Sequence, residues 1–349
     1  MIRNPRLNSS HLYKARKNIK SLFVGADENV EYGHLFILNE YCMVKQGSRI
    51  AGRLPHGWDW GTKSRMSYLN NQVDTYCWSR ESEDWAVEAG WRNVKAIGAP
   101  WLYMMKVIEN LGWRVPEFNS NRTVDELWVY AWHSDSEFDS NELNLDTFIE
   151  SARKSHARKK VVLLHIADFD KIKKRNKWRY DDIEIRTVGN RRNSATANSH
   201  LFNIFNLLSN TSRVIIDAPT TLMLYAGTLG CEVIWHKNNS FRDAHKVVEI
   251  QEDLELLALM ESEVINSDLL QAFAGKALGI ENVKSPAELR NLFGWDEDGS
   301  RNSGVLKDGL INLIKSPIRL YKSKETEFGF LPNWNSRAVR RHTYGEIQD

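Results

Sequence analysis

Cysteine is scarce in this chain. Only Cys42, Cys77 and Cys231 occur in 349 residues, and none forms a CxxC pair. That count excludes a disulfide framework and a common structural zinc module, and it fits a reducing compartment. No apolar run approaches the length of a membrane span. Met1 opens a polar, basic segment with no apolar centre of the kind a signal peptide needs. A cytoplasmic location is the expectation. Net charge is nearly absent as well, at +2, which argues against a dedicated nucleic-acid binder. GxxxxGK[ST], GxSxG, HExxH and GxGxxG are all missing. No Asp-x-Asp pair stands in a good strand-end context for a metal-diphosphate site; the nearest, Asp168-Phe169-Asp170, runs into a lysine-rich loop. Chemistry without a metal or cofactor is therefore expected, with developing charge met by helix N-termini and side-chain donors.

What is present is ordinary in bulk and uneven in detail. The chain is 42% hydrophobic and 26% charged, the balance of a folded globular protein. Its length favours two domains. The polar stretch 117–125 reads as the linker, giving domains over residues 1–122 and 123–330 and a basic tail over 331–349. Arg3, Arg6, Lys14, Arg16, Lys17 and Lys20 crowd the start, and Arg337, Arg340 and Arg341 lie near the end. Such clusters suit either solvated chain ends or contact with an anionic membrane surface. The chain has 13 tryptophans. Most suit a core, while Trp58 and Trp60 could offer flat faces to a sugar ring.

Short apolar runs alternate with amphipathic stretches along both parts. In the first, residues 21–26 and 34–38 read as strands, as do 74–79 and 94–97. Residues 81–90 read as a helix capped by Ser79 or Ser82 and stopped at Gly90, and 101–111 as a second helix. In the second, strands are expected over 127–132, 161–166, 183–188 and 214–216, with another after Gly230. Helices are expected over 145–156, 199–208, the stretch after Pro219, and 247–263. The pattern is that of parallel α/β sheets. Residues from Ile265 onward mix helices with loops.

Four corners lie just after expected strands, the edge at which open α/β sheets bind ligands. His56, in Arg53-Leu54-Pro55-His56-Gly57-Trp58-Asp59-Trp60, is a candidate general base, because its ring titrates near neutrality; Asp59 is close enough to orient it or to replace it. A buried histidine bonded to a carbonyl is the alternative. Trp132-His133-Ser134 forms the second corner. The third is Thr187-Val188-Gly189-Asn190, whose glycine permits close approach of a base or ribose. The fourth, Asp217-Ala218-Pro219-Thr220-Thr221, would start a helix with Pro219 near its head and two threonine hydroxyls beside free N–H groups, a natural phosphate site. Plain helix capping is its alternative reading. His165 and Asp168 are weaker candidates.

These corners, in this order, resemble those of the GT-B glycosyltransferases of bacterial surface polysaccharide synthesis (capsule, O-antigen and lipopolysaccharide). The likeness rests on His56-Gly57-Trp58 and on Thr220-Thr221 followed by Tyr225-Ala226 and Leu229-Gly230. It also rests on the run from Tyr76-Cys77-Trp78-Ser79 through Gly90 to Ile97-Gly98-Ala99-Pro100. It spans roughly residues 50 to 236. The resemblance implies two Rossmann-like domains facing across a cleft, and inverting sugar transfer from a nucleotide-sugar to a glycan or lipid-linked acceptor. It makes His56 the base; the residues themselves offer Asp59 as the fallback base and Trp58 and Trp60 as acceptor contacts. The resemblance makes His133 a donor contact or a stabiliser of the leaving group and Thr220 with Thr221 a phosphate clasp; from their strand-end corners Ser134, Gly189, Asn190 and Asp217 join them on the donor side. The enzyme would work in the cytoplasm, peripheral to the membrane's inner face, with the nucleotide-sugar as co-substrate. The chain departs from the pattern in its short first domain, in threonines where serines are common, and in lacking a His-Pro pair at Trp132-His133-Ser134. A CDP-alcohol phosphotransferase of the teichoic-acid type shares the His-Gly corner and is one rival. A non-catalytic scaffold on the same fold is another.

Overall fold

The computed structural model describes residues 27–50, 52–55, 57–58, 74–110, 112, 122–130, 145–174, 180–189, 198–236 and 254–295. Within them the chain builds two parallel sheets. The smaller pairs β1 (Thr75–Cys77) with β2 (Val94–Ala96), and Arg53 adds a parallel bridge to Thr75 on the outer side. Before it come a 3-10 segment, Asp27–Gly33, and helix α1 (His34–Tyr41). Around it stand α2 (Arg80–Glu88) and α3 (Pro100–Asn110).

The larger sheet comprises β3 (Val124–Val129), β4 (Lys160–Leu163), β5 (Glu184–Arg186), β6 (Thr211–Ile216) and β7 (Glu232–Trp235). Its order is β5-β4-β3-β6-β7, all parallel. The chain lays strands outward on one side of β3 and then returns to the other, so the order reverses between β3 and β6. This is the arrangement of a doubly wound nucleotide-binding sheet. Helices α4 (Leu145–Lys154), α5 (Ile166–Lys174), α6 (His200–Ser209) and α7 (Thr221–Thr228) connect the strands. Both faces are apolar, as a parallel sheet requires. Trp128, Val162 and Ile215 pack on Phe148 and Ile149 on one face, while Leu127, Val161 and Val214 join the main core on the other.

That main core runs without a break into the first part. Trp101 of α3 stacks on Tyr225 of α7, with ring centroids 4.1 Å apart and planes 9° from parallel. The Trp101 indole N–H donates to Thr228 Oγ1 at 3.0 Å. After β7 come α8 (Leu254–Met260), α9 (Ser267–Ala277), a 3-10 turn over Ile280–Asn282 and α10 (Pro286–Phe293). Helix α9 packs on α7, and residues 278–295 return to the smaller sheet. Gly279 makes this return possible. At φ +70° a Cβ there would lie 1.9 Å from the Trp78 carbonyl oxygen.

The α/β reading holds, with differences in detail. Residues 34–38 form a helix, not a strand. Leu-Phe-Ile-Leu is a continuous apolar run with no period, and such a run suits a buried helix as well as a buried strand. Here His34, Leu35, Ile37, Leu38 and Asn39 are all buried. The helix after Pro219 begins two residues later, at Thr221: Thr220 is its cap and Pro219 precedes the cap. Strand β3 begins at Val124, inside the stretch read as linker. The expected strand over 21–26 lies outside the described residues.

Candidate functional site

Every strand of the larger sheet points its carboxyl end to one edge. Tyr130, His165, Gly189, Asp217 and His236 follow β3, β4, β5, β6 and β7 there. The crevice of such a sheet lies where the strand order reverses, between β3 and β6. The Asp217–Thr221 corner leaves β6 at that point. Asp217 is 0% exposed and Ala218 is buried behind it. Thr220, in extended conformation, caps α7: its side chain accepts the Leu222 N–H at 3.4 Å. Thr221 is the first helical residue, at the positive end of the helix dipole. Gly189 adopts φ +99°, a conformation that strains other residues, and its N–H donates to Thr187 Oγ1 at 3.3 Å.

The smaller sheet brings its own carboxyl edge to the same place. Gly57 and Trp58 follow the Arg53 bridge in sequence. The Trp58 N–H donates to Thr221 Oγ1 at 2.9 Å. Its ring meets Phe273 of α9 edge-on at 5.5 Å. Two corners separated by more than 160 residues of sequence are therefore in direct contact (|i−j| = 163).

A second contact between the two edges was not anticipated from the sequence. Tyr32 packs edge-on against His200, the first residue of α6, at 4.7 Å and lies 5.8 Å from His34. His34 in turn faces Trp78, just after β1, at 6.2 Å. Tyr32 holds φ +56°, a left-handed conformation unusual for a bulky residue. Asn29 ties this segment to the strand before the His56 corner: it donates to Gly52 O and accepts from Leu54 N at 2.9 and 2.8 Å. The legible signal was Glu31-Tyr32-Gly33-His34, a polar aromatic group interrupted by glycine. A strand over residues 34–38 would place His34 elsewhere and conceal it.

Electrostatics narrow the chemistry. Burial pushes the Cys42 and Cys77 thiols up to about 12, so neither supplies a thiolate near neutrality. Burial also lowers the His236 pKa, keeping its imidazole neutral. His236 is 6% exposed and stands edge-on to Trp128 and Phe148 at 5.6 and 5.4 Å. Asp168 is buried at the start of α5, where its N–H bonds His165 O at 3.0 Å. Among the described residues no group of three acidic, histidine or cysteine side chains is placed to hold a metal. None of their helices is long and apolar enough to cross a membrane.

The structure thus brings together Gly57, Trp58, Thr220 and Thr221, with Asp217 behind them and Gly189 on the same sheet edge. His56, Asp59, Trp60, His133, Ser134 and Asn190 lie outside the described residues.

No family model matches the chain, and no curated protein matches it. Solved structures do. A UDP-GlcNAc 2-epimerase from Methanocaldococcus jannaschii is similar over 70% of this chain and 70% of its own, at 14% identity and a TM-score of 0.37. A form of the wall teichoic acid polymerase TagF is similar over 79% of this chain and 70% of its own, at 14% identity and a TM-score of 0.34. A sucrose-phosphate synthase from Thermosynechococcus elongatus follows at 8% identity and a TM-score of 0.24, over 70% of this chain and 58% of its own.

Proposed function

We propose that the protein is a glycosyltransferase of the GT-B type, moving a sugar from a nucleotide-sugar to a glycan or lipid-linked acceptor with inversion and without a metal. One observation carries the reading: the strand reversal of the larger sheet opens beside the Thr220-Thr221 corner, and the His-Gly-Trp corner of the other sheet is bonded to that same corner. The donor edge and the segment that carries the candidate base are joined through Trp58.

In this reading His56 takes the proton of the acceptor hydroxyl, with Asp59 as the alternative base. The acceptor oxygen attacks the anomeric carbon as its bond to the phosphate oxygen breaks. The bonding pair leaves with the nucleotide, whose added charge is met at the head of α7 by Thr220 and Thr221. His133, Ser134, Gly189, Asn190 and Asp217 complete the donor side, and Trp58 and Trp60 face the acceptor. Surface-polysaccharide synthesis at the inner face of the bacterial membrane, with the basic chain ends against anionic lipid, belongs to the same proposal and rests on the sequence resemblance.

The test is a binding screen with UDP, GDP, CDP and CMP, followed by turnover of the matching nucleotide-sugars. A nucleotide-sugar consumed with release of a nucleoside diphosphate, or of CMP from a CMP-sugar, supports the reading. His56→Ala should then lower turnover by about 10²–10⁴-fold, the span of a lost general base. Turnover of a CDP-alcohol to CMP and an alcohol phosphate product would replace sugar transfer by phosphotransfer. Absence of nucleotide binding in the folded protein would remove the proposal.

A further inference from the structure

Thr221 lies in the second half of the chain, yet its hydroxyl holds the first. Its Oγ1 accepts the Trp58 N–H at 2.9 Å, and a Cβ placed on Gly57 would sit 3.2 Å from the same oxygen. The hydroxyl is thus bonded at Trp58 and leaves little room for a side chain at Gly57. The Trp58 ring is anchored separately on Phe273 of α9. Helix α9 in turn sits tightly on α7, where Gly227 leaves space for Leu270.

A hydroxyl offers one proton and two lone pairs. Trp58 occupies one lone pair, and no described group accepts the proton. Donating that proton to an anionic oxygen would make the hydroxyl oxygen a better acceptor and tighten the Trp58 bond, since linked hydrogen bonds polarise one another.

We propose that Thr221 is a positioning residue coupling the nucleotide to the His-Gly-Trp corner. Phosphate bound at the head of α7 takes the Thr221 proton, and the strengthened bond to Trp58 fixes the backbone that directly follows His56. The acceptor side is then set only once the donor is seated. The inference rests on the reading that a nucleotide occupies this edge. Because such coupling is reciprocal, disturbing the corner must weaken nucleotide binding by the amount that the nucleotide stabilises the corner.

The experiment titrates UDP, GDP, CDP and CMP calorimetrically into the full chain and into T221V, T221S, G57A and the T221V/G57A double variant. Thermal unfolding checks that each is folded, and hydrogen exchange follows the Trp58 amide. T221V and G57A are each expected to weaken the tightest nucleotide about tenfold, in the range of one hydrogen bond to a charged group. The double variant should be scarcely weaker than either single one, the signature of one shared interaction. T221S should bind within about twofold of the natural chain. Nucleotide should slow Trp58 exchange in the natural chain and in T221S but not in T221V, a response that a purely structural threonine would not show. Normal affinity in G57A beside a weak T221V would overturn the coupling while leaving the nucleotide site standing, as would losses that simply add. Trp58 exchange unmoved by a nucleotide that binds the natural chain would also overturn it, even if a variant failed to fold. No nucleotide binding by the natural chain would overturn both this inference and the reading beneath it.

Discussion

The two sheets solve the same packing problem in opposite ways. The larger carries its own helices; the apolar layer around Trp128 is closed entirely by residues from 124–236, and the layer around Leu127 opens into the main core. The smaller has two described strands of three residues each, too few to close a core. It is tied to sequence about 180 to 250 residues away. Ala99 N bonds Leu278 O, Arg80 N bonds the Asn282 side chain, Arg290 reaches Cys42 O and the Trp295 indole reaches Arg49 O. Three buried or half-buried tyrosines extend the pattern, each bonding main chain of the returning segment: Tyr41 and Tyr103 at Lys284, Tyr76 at Leu292. The returning segment works through specific polar anchors on backbone groups, whereas the larger sheet relies chiefly on continuous apolar area. The first arrangement is sensitive to single atoms, and the second is more tolerant.

Gly279→Ala should break the comparison most severely. The new methyl would overlap the Trp78 carbonyl and would also strain a residue held at φ +70°. Overpacking and left-handed strain together cost on the order of 4 kcal/mol. Denaturant unfolding should show that loss. Hydrogen exchange should show β1 and β2 opening well before β3 and β6. Equal loss of protection in both sheets would mean that they unfold as one unit.

Tyr103→Phe should cost about 2 kcal/mol. The hydroxyl donates to Ile97 O beside β2 and accepts the Lys284 N–H at 2.9 Å, so both main-chain groups lose a partner at once. Tyr76→Phe removes a single donation, to Leu292 O at 2.8 Å, and should cost about 1 kcal/mol. Urea midpoints with unchanged slopes check both values. If Tyr76→Phe proves the costlier, the anchor at α10 matters more than the one at Lys284.

The larger sheet was legible because its signals are local. Each strand is an apolar run ended by a turn or a capping residue, and Asp217-Ala218-Pro219-Thr220-Thr221 announces the helix that follows β6. The joining of Trp58 to Thr221 was legible only as two separate corners, since nothing in a sequence states which loops meet. Residues 278–295 illustrate the opposite limit. Ser285-Pro286-Ala287-Glu288 spells a helix start, with a full capping box, and Gly294 closes it at φ +69°. The helix itself could have been read. Its docking face could not, because Tyr41, Tyr76 and Tyr103 use side-chain hydroxyls on distant carbonyls and amides, contacts that leave no period in the sequence. The run at 34–38 failed for a simpler reason: four consecutive apolar residues carry no periodicity.

The mildest perturbation is addition of a proton, and it should fall on the other sheet. His236 follows β7, its N–H bonds Ile216 O at 2.8 Å, and its ring lies against Trp128 and Phe148. Burial lowers its pKa below the ordinary 6.5. The unfolded chain therefore binds a proton more readily than the folded one. The stability gained by keeping this ring neutral is complete above pH 6.5. It declines as pH falls below that value and levels off once the pH is below the folded-state pKa. Mild acid should thus loosen β6 and β7 while β1 and β2, held by tyrosine anchors that do not titrate in this range, keep their protection. His236→Phe retains an aromatic ring against Trp128 and should flatten the dependence between pH 7 and 5, apart from carboxylate contributions common to both proteins. Hydrogen exchange across that pH window, with the unfolding midpoint measured in parallel, distinguishes the cases. An unchanged acid response in His236→Phe would assign the titration to another group.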